Sequence, residues 1–303
     1  MDDVPIVFLE EIFNVISRDL DPELFPAPIS EILKKHAEND VTLSLEIYID
    51  PQKFEDFEYE FSAYGKLNGV MAATTSYEKI LALAKVITTF KVEIDYIVDV
   101  ENLEKGSWND PKLLRLLALS FHCPEVSYRC DLEPFSCQVY RKLLESGLRP
   151  VSEVFVLPSL DPSDINILKM PQNDGFLKTI TLIDGLNKDD VIRVLDVFLP
   201  SNAIYLDLAA SDSVTYLPYI AKLWAHFDVE VDVKGKRVIF NCSSDSIFRK
   251  LRRWDRKVRT ERFRTEDGKE GVSVMVKNKE QRALCFTVNE EAERHAVSFV
   301  DFD

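Results

Sequence analysis

From Val92 onward the chain alternates extended and helical stretches at a step of roughly 24 to 33 residues, and a step of that size restricts it to folds made of repeated βα units. The extended stretches are centred near Asp95 (Val92 to Val100), Tyr128, Phe155, Thr181, Tyr205 and Val231. Helix starts fall between them: Asp110 before Pro111, Asp131 with Pro134, Asp161 before Pro162, Asn187 with Asp190, and Ser211 with Asp212. Short oxygen acceptors satisfy the first free N–H groups of a helix, and proline is tolerated in its first turn. A strand that returns through a helix runs parallel to its predecessor. Doubly wound parallel strands are buried on both faces and read as unbroken apolar runs, whereas these alternate. Val92, Ile94, Tyr96 and Val98 oppose Glu93, Asp95, Ile97 and Asp99; Val126, Tyr128 and Cys130 oppose Ser127, Arg129 and Asp131; Val229, Val231 and Val233 oppose Glu230 and Asp232. One face meeting helices and one meeting water predicts an α/β, leucine-rich-repeat-like βα solenoid with a parallel sheet.

The flanks differ from this region, so the expected organisation is a helical segment over 1–40, a repeat region over 41–245 and an antiparallel cap over 246–303. In the first, Pro5 precedes Phe8, Leu9, Ile12, Phe13 and Ile16, which share one helical face, and Ile29, Ile32 and Leu33 open a second helix after the turn Asp21 to Pro28. At Val41 the period becomes two. Val41, Leu43, Leu45, Ile47 and Ile49 alternate with Thr42, Ser44, Glu46 and Tyr48, and Phe57, Tyr59 and Phe61 repeat the alternation. Ser76 to Phe90 is expected to be helical, with Ile80, Leu81, Leu83, Ala84 and Ile87 on one side. Lys234-Gly235 reads as a hairpin turn into Val238 to Phe240. The cap comprises a short helix around Ile247 to Trp254 and strands near Val258 to Thr265, Val272 to Val276, Ala283 to Val288 and Ala296 to Val300, with a turn at Glu266 to Lys269.

Composition narrows the function. With 37 Lys and Arg against 52 Asp and Glu, the formal charge is −15, which argues against chain-wide binding of nucleic acid. No apolar stretch is long enough to span a bilayer, Met1-Asp2-Asp3 opens acidic, and the five cysteines form no CxxC pair; the expected location is the cytoplasm or nucleus, with no membrane partner. Glycine numbers 9, and no dinucleotide fingerprint, phosphate loop, nucleophile elbow or zinc-protease motif is present. No cofactor and no metal are expected, and the chain reads as no enzyme. An enzyme would need a deep pocket with perturbed carboxylates, for which Asp95, Asp131 and Asp207 are the nearest candidates.

The stretch Val4-Pro5-Ile6-Val7-Phe8-Leu9-Glu10-Glu11-Ile12-Phe13-Asn14-Val15-Ile16 resembles the first helix of an F-box. Its place before a βα region is similar to the F-box-like families expanded in nematodes. The resemblance implies a target-recognition subunit of a cullin-type ubiquitin ligase, with Pro5, Phe8, Leu9, Ile12, Phe13 and Ile16 meeting the ligase's adaptor subunit. Ile29, Ile32, Leu33 and His36 would supply a reduced remainder of that surface. The bottom-up alternative is an amphipathic helix that caps the sheet of a stand-alone protein-interaction scaffold.

The water-facing strand positions offer the candidate target site. Glu46, Tyr48, Glu93, Asp95, Asp99, Ser127, Arg129, Asp131, Glu153, Phe155, Thr179, Thr181, Tyr205, Asp207, Glu230 and Asp232 form an acidic column. Of these, Tyr48, Asp95, Arg129, Phe155, Tyr205 and Asp207 are the expected contacts for a basic segment of a protein target, the aromatics anchoring and the carboxylates steering. Against it stands the plain reading that exposed strand faces of an acidic protein are acidic. Residues 249–264 carry nine cations against Asp255 and Glu261; a counter-ion strip for the acidic body is favoured over nucleic acid, although Trp254 and Phe263 could stack on bases. Cys123, Cys130 and Cys137, at seven-residue steps beside His122, lack zinc-finger spacing and read as buried thiols. Asp184 to Asp190 lacks the ligand order of a calcium loop and reads as a turn and helix cap.

Overall fold

A computed structural model describes residues 30, 34, 38–96, 103–131, 135–156, 162–173, 175–182, 188–198, 201–208, 213–216, 219, 237–241, 259–264, 270–275, 282–289 and 294–301. Contacts gather the chain into two compact units, Met1–Ser152 and Glu153–Asp303. Both are mixed α/β.

In the first unit, strands β1 (Asp40–Ile49), β2 (Asp56–Leu67), β3 (Val70–Thr74), β4 (Ile87–Tyr96) and β6 (Glu125–Cys130) lie in the order β6-β4-β1-β2-β3, and β5 (Glu104–Ser107) pairs with the far end of β2. β1 and β4, and β4 and β6, are parallel; β1–β2, β2–β3 and β2–β5 are antiparallel. The apolar set expected on β1 is buried throughout. Phe57, Tyr59 and Phe61 are buried as well. Helix α1 is shorter than the expected run from Ser76 to Phe90: it spans Tyr77–Ala82, and Ile87 already belongs to β4. Val86-Ile87-Thr88-Thr89 is a β-branched run, stiff at χ1, which favours a strand. Thr88 is also the extra residue of a bulge between Val41 and Thr42. Its hydroxyl donates to the Val41 carbonyl at 3.1 Å and to an Asp40 carboxylate oxygen at 2.9 Å, contacts that a helix would forfeit.

Helix α2 (Pro111–Ala118) begins where Asp110-Pro111 places it: the Asp110 carboxylate accepts the Lys112 N–H at 2.8 Å. Leu113, Leu116 and Leu117 face the core. Helix α3 (Ser136–Glu145) buries Cys137, Val139, Tyr140 and Leu143. The Tyr128 hydroxyl donates to the Ser136 carbonyl at 2.8 Å, and the Tyr128 and Tyr140 rings are 4.9 Å apart. Cys123, Cys130 and Cys137 are buried, as expected.

The second unit carries β7 (Glu153–Val156), β8 (Thr179–Leu182), β9 (Tyr205–Leu208) and β10 (Arg237–Asn241), consecutively parallel. Helix α4 (Pro162–Leu168) lies between β7 and β8, and α5 (Lys188–Phe198) between β8 and β9. Strands β7, β8 and β9 each alternate half-buried and buried residues. That is the alternation that argued against a doubly wound sheet. Beyond β10 the pairing turns antiparallel through β14 (Arg294–Asp301), β13 (Arg282–Asn289), β12 (Glu270–Met275) and β11 (Arg259–Arg264). These four match the strands expected of the cap. Strand β10, which covers the expected Val238 to Phe240, is parallel to β9.

Among the described residues no helix is long and apolar enough to cross a membrane. Residues 1–29, the stretch around Val231, Lys234-Gly235, the helix around Ile247 to Trp254 and the turn Glu266 to Lys269 lie outside the described residues.

Candidate functional site

Register decides which polar side chains become neighbours. On the first unit's polar face, cross-strand pairing forms three rows. One runs Ser62, Ser44, Lys91, Ser127. The next runs Glu60, Glu46, Glu93, Arg129. The third runs Glu58, Tyr48, Asp95, and Asp131 follows at its end because its N–H donates to the Ile94 carbonyl at 2.8 Å. The expected contacts Tyr48 and Asp95 are therefore cross-strand partners, and Arg129 pairs with Glu93 one step away. Glu58, Glu60, Ser62 and Lys91 were absent from the sequence-derived column. For Glu58, Glu60 and Ser62 the signal was the alternation of Phe57, Tyr59 and Phe61, and for Lys91 that of Val92 and Ile94, which sends the intervening residues to the opposite face.

Tyr48 departs from its expected role as an exposed anchor. It is 9% exposed, and its hydroxyl lies 2.8 Å from a Glu60 oxygen and 2.9 Å from a Glu46 oxygen. Burial first, then these two carboxylate hydrogen bonds, push its ionisation well above the ordinary phenol range. The side chain is thus a neutral donor that ties two neighbouring carboxylates together. Asp95 is exposed. Arg129 makes a two-pronged pair with Asp131, both N···O distances 3.1 Å. That hydrogen bonding raises its pKa, burial opposes it, and Glu93 and Asp95 add to the rise. A face with Glu46, Glu58, Glu60, Glu93, Asp95 and Asp131 against Lys91 and Arg129 places like charges side by side, which costs stability in a free sheet. A cationic ligand would relieve that repulsion and be steered by the same field.

The second unit gives a milder surface. Cross-strand rows run Glu153, Thr179, Tyr205, Arg237 and Phe155, Thr181, Asp207, Ile239. Phe155, Tyr205 and Asp207 are all half-buried, and the Thr181 hydroxyl donates to Glu153 at 2.9 Å. Tyr205 and Asp207 lie two residues apart on one strand; Phe155 shares the Asp207 row across Thr181. Asp99, Glu230 and Asp232, together with Pro5, Phe8, Leu9, Ile12, Phe13 and Ile16, which the resemblance would assign to an adaptor, and with Ile29, Ile32, Leu33 and His36, fall outside the described residues.

Two features were not anticipated. Leu67 and Val70 close a hairpin through Asn68-Gly69, both at positive φ (50° and 75°). Asn-Gly at a two-residue turn is among the strongest hairpin signals in a sequence. Between this hairpin and α1 lies an apolar groove of about 390 Å³ whose lining includes Val41, Leu67, Ala72, Lys79, Ala82 and Leu83. The carboxylates Asp95, Asp131 and Asp207, named as nearest to a catalytic set, do not line it. Among the described residues no group of three His, Cys, Asp or Glu side chains is placed to hold a metal ion.

No protein-family model matches the chain, and no curated protein or solved structure matches it.

Proposed function

We propose that the chain is a non-enzymatic recognition protein serving as target receptor of a cullin-type ubiquitin ligase. Residues 4–16 engage the adaptor subunit, and the polar strand face receives a basic segment of the target. The scaffold is read as a leucine-rich-repeat-like array. The F-box-like pattern of Val4 to Ile16 supports the ligase half. The observation that carries the receptor half is the crowded row Glu60, Glu46, Glu93 beside Arg129, whose repulsion a Lys- or Arg-rich partner removes.

The test is co-purification of the adaptor with the full chain and with an Ile12→Asp Phe13→Asp variant. Recovery with the first and loss with the second supports the reading; equal recovery, or none with either, refutes the ligase half. A Glu46→Lys Glu93→Lys variant is expected to keep the adaptor and lose the target. The second reading is a stand-alone interaction scaffold, which would use the same acidic rows, drawn from residues 44–131, without any adaptor. In that case the target is retained and no adaptor is recovered.

A further inference from the structure

We propose that β3 is the edge through which two copies of this chain pair, antiparallel about a two-fold axis at Ala72. The strand ends the first unit's sheet, and among the described residues it pairs with β2 alone. The turn Asn68-Gly69 makes Leu67 and Val70 a hydrogen-bonded pair, and alternation from there turns the backbone groups of Val70, Ala72 and Thr74 towards β2. The N–H and C=O groups of Met71 and Ala73 consequently point away from it. Val70 to Ala73 are all exposed, Val70 and Met71 at 68% and 70%. An open edge of this kind is a template for another strand.

Three observations select a second copy as that strand. The first is the lack of any guard. Edges that stay single carry charges, proline or bulges. Strand β11, which ends the second unit's antiparallel run, has Arg259, Glu261, Arg262 and Arg264 among its six residues. Val70-Met71-Ala72-Ala73-Thr74 has neither charge nor proline, and its register with β2 runs without a bulge.

The second is self-complementarity. Met71 and Ala73 flank Ala72 evenly, so a two-fold axis at Ala72 sets Met71 opposite Ala73 of the second copy in a hydrogen-bonded pair, and the reverse on the other side of the axis. Ala72 then meets its own counterpart in the closer, non-hydrogen-bonded spacing, which a methyl side chain fits. Val70 meets Thr74. Larger side chains oppose smaller ones, and no charge opposes a like charge.

The third is electrostatic. A chain of formal charge −15 repels its own copy over most of its surface. The β3 edge is uncharged, and its nearest cross-strand charge is Lys66, the β2 partner of Met71. A basic target segment, by contrast, finds no carboxylate on this strand. Pairing about such an axis leaves each sheet face on its own side. The acidic rows of both copies then face the same way, and a target with two basic segments gains avidity. The pairing itself does not rest on the ligase reading.

Sedimentation equilibrium of the full chain tests this, over about 1–300 µM because a strand-edge contact is smaller than a standard interface. The wild type is expected to pass reversibly from monomer to dimer within that range. Met71→Lys Ala73→Lys sets like charges opposite one another across the axis and is expected to weaken the dimer about tenfold or more; Met71→Lys Ala73→Glu sets opposite charges there and is expected to restore it. Both variants alter exposed positions only. A wild type that stays monomeric throughout overturns the proposal and leaves the edge to a strand of another protein. A dimer indifferent to Met71→Lys Ala73→Lys overturns it by placing the contact on another surface, and a Met71→Lys Ala73→Glu chain that pairs no better overturns the antiparallel register. In a second readout, amide exchange at Met71 and Ala73 is expected to slow about tenfold between dilute and concentrated wild type; unchanged exchange at both overturns the assignment. No adaptor is present in either experiment, so failure here leaves the ligase reading standing.

Discussion

Asp110 holds two structures at once, and its removal is expected to cost more than a helix cap alone. One carboxylate oxygen accepts the Lys112 N–H at 2.8 Å to start α2, and the other accepts the Tyr59 hydroxyl at 2.9 Å. Tyr59 is 1% exposed, so its hydroxyl has no water to turn to, and Glu104 contributes to it more weakly than Asp110 does. The neighbouring Glu104 carboxylate is engaged by Lys112, at 2.5 and 2.6 Å, and that ammonium also sits 4.7 Å from the Phe61 ring centre. In Asp110→Ala the lost cap is worth about 1 kcal/mol. The stranded hydroxyl adds about 1–3 kcal/mol, for a total near 2–4 kcal/mol. In a unit of this size that lowers the melting point by about 5–15 °C. Tyr59→Phe removes the hydroxyl and leaves the cap in place, so it is expected to cost only about 1 kcal/mol. The double variant strands nothing. Its loss is therefore expected to fall below the sum of the single losses by at least about 1 kcal/mol, measured by urea titration of all four proteins. Additivity within about 0.3 kcal/mol would show that the two roles are independent and refute the reasoning.

Two further outcomes follow from the same unit. A side chain at Gly65, where φ is +137°, would put its Cβ 1.9 Å from the Asp40 carbonyl oxygen, whereas at Gly69 (φ +75°) nothing lies within 4 Å. Gly69→Ala is expected to cost about 1–2 kcal/mol from the left-handed backbone alone, and Gly65→Ala considerably more; equal melting points would contradict this. Tyr48 and Tyr59 both ionise well above the ordinary phenol range, through burial first and carboxylate hydrogen bonds second. A raised folded pKa leaves stability intact below the unfolded value of about 10 and removes it as pH climbs beyond, by up to about 1.4 kcal/mol per pH unit for each tyrosine. Urea midpoints between pH 8 and 11.5 should fall more steeply for wild type than for Tyr48→Phe Tyr59→Phe, and parallel curves would count against it.

The parts of this fold that were legible in the sequence are those in which local chemistry and tertiary packing agree. Asp110-Pro111 marks the start of α2 because cap and φ restriction act within three residues. The strands near Phe155, Thr181 and Tyr205 stand where alternation places them, since one side of each meets a core. Strand β3 was invisible for the opposite reason. Val70-Met71-Ala72-Ala73-Thr74 is short and alanine-rich, with weak strand preference of its own, and it is extended because Asn68-Gly69 folds it back on β2. Tyr48 shows the limit of periodicity. Alternation assigns it correctly to the polar side, but its hydroxyl is held by Glu46 and Glu60, and a residue's lateral neighbours depend on register, which period alone does not determine. The same ignorance of register hid the row Glu60, Glu46, Glu93.

Strand β1 has its chain neighbour β2 on one side and β4 on the other, and the partner of Leu45 changes from Phe61 in the first pairing to Val92 in the second. Closing the first loop confines few residues; closing the second confines the whole β2–β3 hairpin and α1 as well, at a higher entropic cost. Loop-closure entropy accordingly favours assembly of this unit from the antiparallel meander outward, with β4 added to an already ordered β1 edge and β6 after it. Until β4 arrives, that edge presents unpaired amides beside Leu43, Leu45 and Ile47, and this interval is when a nascent chain most needs shielding from its neighbours.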